Sequence, residues 1–257
     1  MPDGTPPCNT TADEISRVVR QRRSVRHFTD EELAREQILD LVREASWAPS
    51  GGNDQPWAVT ALAPPAARVV RERFEMRGWH ALVPKLASIQ ERAAGRDLDP
   101  EGSVRSTLGR IADDALTRGA PWLLLVHTID SPIEEAWVLR MHAALERQVP
   151  ARELPTLGEM RATYGPVKEG VTFASAICFA YALCLAAEAR GIASCIQHTL
   201  LPFRDEIARI HGLIPDGRIL QTAVLVGRAD PADASNVRAR QEAQRRPVEV
   251  LFAEPLE

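Results

Sequence analysis

Hydrophobic residues recur at helical spacing in the first part of the chain. Between residues 31 and 47 the pattern places one apolar face opposite a charged one, which predicts an amphipathic helix that Pro49 terminates. A shorter helix is predicted before it, beginning at Thr11 or Asp13 and ending at Arg22, because its apolar residues also share one face.

Short apolar runs bounded by glycine, proline and polar residues predict strands. These runs cover residues 57–62, 120–128, 192–197 and 218–227. The run at 120–128 is apolar on both faces, which is typical of a buried strand. Strands at unequal spacing among helices predict an α+β fold rather than a regular βαβ series, and no GxGxxG motif follows a strand.

Further helices are predicted at 131–147, 169–190 and 201–211, with a linker at 149–166. The segment 169–190 is apolar on nearly all faces, which indicates burial in the centre of the fold or in a subunit interface, and Gly191 ends it. Residues 64–118 are mostly helical in pattern, with breaks near Pro84 and at 95–102.

Composition and charge restrict the function classes. The chain of 257 residues is 45% hydrophobic, enough for one large domain, predicted at 12–257 after a flexible tail at 1–11. The start lacks the pattern of a signal peptide, so a cytoplasmic protein is expected. The net charge of −4 disfavours nucleic acid and an anionic membrane as partners. The four cysteines lack metal-ligand spacing, so no metal site is predicted.

The first candidate site is the cluster of Arg22, Arg23, Ser24 and Arg26 at the end of the first predicted helix. Each guanidinium offers a planar set of donors that matches two phosphate oxygens, so the cluster is suited to a phosphomonoester. Arginines at the carboxyl end of a helix also complement the helix dipole in water, and the cluster by itself leaves that structural interpretation open.

Two further segments contain candidate ligand-binding residues. In the loop between the 31–47 helix and the first strand, adjacent glycines allow the backbone to approach a flat ligand, and polar side chains suit the edge of a heterocycle. The candidates in this loop are Pro49, Ser50, Gly51, Asn53 and Gln55. Near the C-terminus Arg245 and Arg246 precede a proline, although such basic pairs commonly lie in solvated tails.

Together these segments resemble the nitroreductase family in type, order and separation. The resemblance rests on RRSVR, APSGGNDQPW, the glycine-terminated helix and RRPVEVLF, and it spans residues 12–252, with weak cover between 68 and 119. It implies a nitroreductase-like α+β fold, with a central mixed, mostly antiparallel sheet flanked by helices. It also implies an intertwined homodimer that binds FMN between its subunits.

The resemblance assigns roles by position. It implies that Arg22, Ser24 and, less directly, Arg23 hold the FMN phosphate and ribityl chain, and that Arg26 contacts the ribityl or pyrimidine side. Arg245, with Arg246 as its nearest substitute, would complete the phosphate clamp.

The same resemblance assigns the groups around the flavin ring. The loop residues Pro49 to Asn53, with Gln55 close by, would reach the flavin of the other subunit. The backbone of Ile196, Gln197 and His198 would lie against the ring, where an N–H donates to N5. His198 departs from the small or glutamate residues usual there. It is a candidate proton donor, although the resemblance favours a side chain that only lies beside the flavin.

The chemistry implied is hydride transfer from NADH or NADPH to flavin N5 and then to a nitroaromatic, quinone or other conjugated acceptor. One alternative keeps the fold but desaturates a small metabolite as an oxidase or dehydrogenase. Another is a non-catalytic flavin-binding protein with a blocked ring face. Reductive dehalogenation, as in the iodotyrosine deiodinases, is disfavoured because residues 58–119 contain no tyrosine for the substrate-gripping lid.

Overall fold

The computed structural model describes residues 12–75, 77, 116–129, 132–210 and 212–241. The helices are α1 (Ala12–Gln21), α2 (Arg35–Ala45), α3 (residues 64–75), α4 (Pro132–Leu145), α5 (Leu157–Ala189), α6 (Arg204–Ala208) and α7 (Ala234–Gln241). Two 3₁₀ turns cover Gly51–Asn53 and His198–Phe203. The predicted tail at 1–11, the breaks at Pro84 and 95–102, and Arg245 and Arg246 lie outside the described residues.

A four-stranded sheet forms the centre of the fold. Its strands are β1 (Trp57–Leu62), β2 (Trp122–Thr128), β3 (Ala193–Ile196) and β4 (Ile219–Gly227), in the order β1-β2-β4-β3. The three strand pairs are antiparallel, while isolated parallel bridges join Ser24 to Ser194 and His27 to Arg118. The predicted α+β fold with a mixed, mostly antiparallel sheet is therefore confirmed.

Each face of the sheet carries its own hydrophobic core, because side chains alternate between the faces of a strand. Leu124 and Val126 of β2 pack with α2 and α5 on one face. Leu123 and Leu125 pack on the opposite face with α3 and with the segment that contains Leu200 and Ile207. The sheet is thus covered by helices on both sides.

Helix α5 begins earlier than its sequence pattern predicts. Residues 157–166, predicted as the end of a linker, are its first turns, and Pro166 lies within the helix. A capping box explains the start: Thr156 Oγ1 accepts from the Glu159 N–H at 3.2 Å, and the Thr156 N–H donates to Glu159 Oε2 at 2.8 Å. This cap starts the helix despite the glycines and the proline that indicate a linker.

The apolar surface of α5 is only partly covered. Phe179, Ala180 and Leu183 are buried against the sheet. Other apolar residues at heptad-like spacing, with Val167 56%, Val171 36% and Tyr181 42% exposed, face away from the core. We call this row the α5 stripe; it consists of Val167, Val171, Ala174, Cys178, Tyr181 and the half-buried Leu185.

One described helix segment, 167–189, is long and apolar enough to cross a membrane by length and composition alone, with a mean hydropathy of 1.9. Within its most apolar window, 44% is buried inside the fold. The helix also contacts the sheet, and the core helix of a globular protein can have the same apolar composition.

The helix predicted at 201–211 is shorter and starts later. The chain first forms the 3₁₀ turn at His198–Phe203, which contains Pro202, and α6 covers only Arg204–Ala208. Proline lacks the N–H that a regular α-helix needs in its interior, so the helix begins after Pro202.

Candidate functional site

The arginine cluster leaves α1 as an extended segment beside β3. The Val25 N–H donates to the Ser194 carbonyl oxygen at 3.0 Å, and Ser24 pairs with Ser194 as a parallel bridge. Val25 and His27 are buried, whereas Ser24 and Arg26 are half-buried, as the two-residue period of an extended chain requires. By the same period Arg22, Ser24 and Arg26 share one side of the segment.

Arg23 behaves differently from its neighbours. Its Nη1 donates to the carbonyl oxygens of Arg20, at 2.5 Å, and Arg22, at 2.9 Å. This guanidinium therefore satisfies carbonyls at the end of α1, which is the helix-terminus interpretation that the sequence left open. The interpretation suits Arg23, while Arg22 and Arg26 lie on the other side of the segment.

Arg22, Ser24 and Arg26 act on one buried thiol, that of Cys195. Burial raises the pKa of Cys195, while the positive charges of Arg26 and Arg22 and a hydrogen bond with Ser24 act in the opposite direction. Burial likewise raises the pKa of Cys184 to about 11. These two thiols stay protonated at neutral pH and are poor nucleophiles.

The segment predicted to lie against a flavin ring follows β3 directly. Ile196 is half-buried, Gln197 is buried and His198 is exposed at the start of the 3₁₀ turn. The Gln197 N–H is taken by the Ala223 carbonyl at 2.7 Å. The first N–H groups of a helical turn have no acceptor within the turn, so His198 presents the backbone donor of this segment.

Glu75 of α3 is a buried carboxylate that the sequence interpretation did not identify. Its side chain is 3% exposed, and Oε1 accepts from the Thr117 N–H at 2.9 Å, Thr117 Oγ1 at 2.7 Å and Gln197 Nε2 at 2.8 Å. A signal was present in the sequence, because Arg71 and Glu75 lie at helical spacing with core residues of α3. Charged residues at such positions indicate a buried polar network.

The loop that follows α2 is exposed and conformationally strained. Asn53 and Gln55 have positive φ angles of 56° and 48°, which are uncommon for residues other than glycine. Ser50 Oγ accepts from the Gln55 N–H at 2.9 Å, and Gln55 Nε2 donates to Asn53 Oδ1 at 3.1 Å. Such strain is frequent at ligand-binding sites.

The same loop rests on the middle of α5. The Gly51 N–H lies 3.3 Å from Ser175 Oγ, and a Cβ atom at residue 51 would stand 2.3 Å from Val171 Cγ1. The charge of Arg22 acts instead on Cys184, nearer the end of α5. Ser175 and Cys184 are about 14 Å apart along the helix axis, so the loop and Arg22 lie near different turns of α5.

The helix that leads to the C-terminal arginine pair is anchored beside Arg26. His27 Nδ1 lies 2.6 Å from Asp233 Oδ1 at the start of α7, and Asn236 Nδ2 donates to the His27 carbonyl at 2.7 Å. Arg245 and Arg246 are outside the described residues, but α7 ends at Gln241, shortly before them in the sequence.

A cleft of about 470 Å³ lies between α1 and the last turns of α5, and Glu14, Arg17 and Glu44 line it together with apolar residues. Its apolar lining includes Ile15 and Val19, which are 58% and 45% exposed. This cleft continues the exposed apolar surface of the α5 stripe through Leu185. Within the described part of the chain, no three His, Cys, Asp or Glu side chains gather as metal ligands would.

Comparison with known proteins identifies this arrangement. The sequence model of the Nitroreductase family matches residues 19–228, most of the chain. An Archaeoglobus fulgidus protein, provisionally named NADH dehydrogenase/NAD(P)H nitroreductase, is 38% identical over 45 residues, which are 18% of this chain. The match spans about a quarter, 26%, of that relative's length. The resemblance predicted from the sequence motifs is confirmed.

Solved structures share the fold at low sequence identity. A Desulfitobacterium hafniense nitroreductase with bound FMN is 18% identical with a TM-score of 0.56, and the alignment covers 95% of this chain and 100% of that one. NfnB of Mycobacterium smegmatis, an FMN-dependent nitroreductase in complex with NADPH, is 18% identical with a TM-score of 0.54, covering 95% and 99%. Iodotyrosine deiodinase bound to FMN and 3-iodo-L-tyrosine is 18% identical with a TM-score of 0.57, covering 93% and 99%.

Proposed function

The chain belongs to the Nitroreductase family, and we propose that it binds FMN and passes hydride from NADH or NADPH to a conjugated acceptor such as a nitroaromatic or a quinone. The observation that carries the proposal is the extended segment beside β3. It aligns Arg22, Ser24 and Arg26 on one side, next to the strand whose end presents the His198 N–H.

These residues suit the chemistry of FMN. Two guanidiniums and a hydroxyl at spacing of two residues match the phosphate and ribityl oxygens, since charge-assisted hydrogen bonds are the strong ones. An arginine at the pyrimidine side would favour negative charge on that ring by electrostatic attraction. Arg245, with Arg246 beside it, is proposed to complete the phosphate clamp, because α7 starts against His27, the neighbour of Arg26.

A homodimer is proposed because one chain holds only part of the site. The strained loop Pro49–Gln55 and the arginine cluster lie at different levels of α5, and the loop faces solvent. The α5 stripe and the cleft beside α1 are apolar surfaces that a second copy would cover. In such a dimer the loop of one subunit reaches the FMN bound by the other.

When bound, FMN supplies the hydride acceptor and donor, N5 of its ring. The chain orients the ring through the His198 N–H, holds its phosphate through Arg22 and Ser24, and stabilises negative charge through Arg26. The His198 side chain is exposed at the start of its turn, where it is a candidate proton donor to the acceptor.

The test is an anaerobic titration of the purified protein, with NADH and NADPH added in turn while the flavin band near ~450 nm is followed. Rapid bleaching, restored by a nitroaromatic or a quinone, would support the reductase. Bound flavin that neither nucleotide reduces would favour the oxidase or the non-catalytic flavin protein. A protein that binds no FMN, even when FMN is added, would refute the proposal.

Substitutions of the proposed phosphate-binding and pyrimidine-side arginines test the residue assignments. Arg22→Gln and Arg26→Gln should each weaken FMN binding at least about tenfold, since a hydrogen bond to a charged group contributes about 1.5–3 kcal/mol. Arg43→Gln is the matched control, because Arg43 is exposed on α2 and pairs with Asp40 at 3.0 Å. Equal affinity of all three variants for FMN would contradict the assignment.

A further inference from the structure

Glu75 joins the two parts of the chain that are proposed to contact the flavin. We propose that Glu75 is a positioning residue: it holds the turn at Gln197–His198 and the backbone beside Arg26 in register, and its negative charge disfavours the reduced flavin. This inference rests on the proposed FMN site, but its first test does not require flavin.

The first connection runs through Gln197. Its buried side chain donates to Glu75 Oε1 at 2.8 Å, and its backbone N–H donates to Ala223 at 2.7 Å. Because both the side chain and the backbone N–H of Gln197 are hydrogen-bonded, Gln197 fixes the position of the His198 N–H that follows it. Removal of the carboxylate acceptor leaves this buried amide only its longer contact of 3.4 Å with Thr117 Oγ1, which costs free energy.

The second connection runs through Thr117. Its N–H and hydroxyl both donate to Glu75 Oε1, at 2.9 and 2.7 Å. The next residue, Arg118, pairs with the arginine segment: its N–H donates to the Arg26 carbonyl, and its carbonyl accepts from the Phe28 N–H, both at 3.0 Å. One carboxylate oxygen thus ties Arg26 and His198 to the same point, although they are far apart in sequence.

The charges around Glu75 leave it sensitive to its surroundings. Burial raises the pKa of this carboxyl, while the hydrogen bonds from Thr117 and the positive charges of Arg71 and Arg26 oppose the change. Arg71 lies on the same helix, Arg26 on the segment beside β3, and the Cys195 thiol on β3 also faces the carboxylate. Arg71 is itself 6% exposed and donates to the Gly119 carbonyl at 3.1 Å. Its Nε and Nη1 have no hydrogen-bond partner among the described residues, so Arg71 acts on Glu75 through its charge.

The carboxylate is connected to the flavin site by one side chain, Gln197. A unit negative charge one side chain away from the flavin opposes the negative charge that the flavin gains on reduction, because the protein interior screens charges less than water does. Arg26, on the other side, attracts that charge. The pair would therefore set the balance between oxidised and reduced flavin.

The first experiment measures amide hydrogen exchange in the protein without flavin, comparing the wild type with Glu75→Gln. Glutamine keeps an amide oxygen as a neutral acceptor, but exchange in the segments 116–119 and 196–199 should still accelerate about tenfold, because charge-assisted hydrogen bonds become weaker neutral ones. Glu72→Gln is the matched control, since Glu72 is exposed on the same helix. Unchanged exchange in both segments would overturn the positioning role, whatever the outcome of the FMN titration.

The second experiment uses the FMN-loaded protein at pH 8, because high pH favours the ionised carboxylate. In Glu75→Gln the ratio of reduced to oxidised flavin at a fixed potential should rise about tenfold, and Glu72→Gln should match the wild type. The difference should shrink as the pH falls and wild-type Glu75 takes up a proton. A ratio equal to that of the wild type would remove the electrostatic part of the proposal.

If Glu75→Gln does not fold, Thr117→Val removes one donor to the same oxygen and keeps the carboxylate. It should accelerate exchange at 116–119 while the flavin ratio stays within about twofold of the wild type. A tenfold change of the flavin ratio in Thr117→Val would overturn the assignment of that effect to the charge of Glu75.

Discussion

Gly119 passes so close to Phe28 that a Cβ atom at residue 119 would stand 2.0 Å from the Phe28 carbonyl oxygen. The backbone on either side of this contact carries the pairing between Arg118 and the arginine segment. Gly119 also has a φ of 79°, which favours glycine. The contact therefore sets how closely the loop before β2 approaches the proposed phosphate-binding segment.

Substitution at this contact should be far more harmful than at an open glycine. We expect Gly119→Ala to lower the free energy of unfolding by more than about 3 kcal/mol, since backbone must move to admit the methyl group. Gly217 has a similar φ of 76° with nothing near its Cβ position, so Gly217→Ala should cost only about 1 kcal/mol. Urea denaturation of both variants makes the comparison, and equal losses would show that conformation, not the close contact, decides.

The α5 stripe should be the dimer interface. In the dimer, the charge introduced by Tyr181→Arg would be buried in the interface without a partner. We therefore expect light scattering to give the mass of a monomer, and we expect FMN binding to be lost. Val69→Arg is the control, because Val69 is 60% exposed on α3, on the opposite face of the sheet. A dimer that persists in Tyr181→Arg would place the interface elsewhere.

The strained loop should matter more for FMN than for folding. Ser50→Ala removes the acceptor of the Gln55 N–H, and we expect about 1 kcal/mol of lost stability but at least about tenfold weaker FMN binding. Ser46→Ala provides the control, because Ser46 is exposed outside the loop and its hydroxyl donates to the Arg43 carbonyl at 2.6 Å. Fluorescence titration with FMN measures the affinities; identical values would remove the loop from the site.

His127 should make stability depend on pH. It is 1% exposed, and burial, with a smaller effect of Arg218, lowers its pKa to about 4 from 6.5. The Thr60 hydroxyl donates to the Leu213 carbonyl at 2.7 Å, so it accepts from His127 Nε2 at 3.1 Å. A neutral histidine fits this arrangement on β2.

The sign follows from the lowered pKa. In the unfolded chain His127 binds a proton below about pH 6.5, so its contribution is fully present above that pH and is lost as the pH falls to about 4. The loss amounts to about 3 kcal/mol at about 1.4 kcal/mol per pKa unit. Denaturation at pH 7 and pH 4 should show a smaller loss for His127→Gln than for the wild type; parallel losses would contradict the effect.

Much of the fold follows from local pattern. The strands at 57–62 and 120–128 and the amphipathic helix ending near Pro49 are as predicted, because alternation and helical spacing report which side of an element is buried. The predicted start of α5 was wrong, because the glycines and Pro166 indicated a linker more strongly than Thr156 and Glu159 indicated a helix cap. Local composition does not register the packing energy that holds such residues in a helix.

The sequence alone determined which groups are present at the proposed site: Arg22, Ser24 and Arg26 are close neighbours in the chain, so their grouping needs no long-range contact. Only the tertiary structure decided what surrounds them. Glu75 meets Gln197 across 122 positions of sequence, and the loop at Pro49–Gln55 packs on α5 near Ser175, nine residues before Cys184, on which Arg22 acts. Pairings of this kind depend on how helices and sheet pack, and no periodicity in the chain records them.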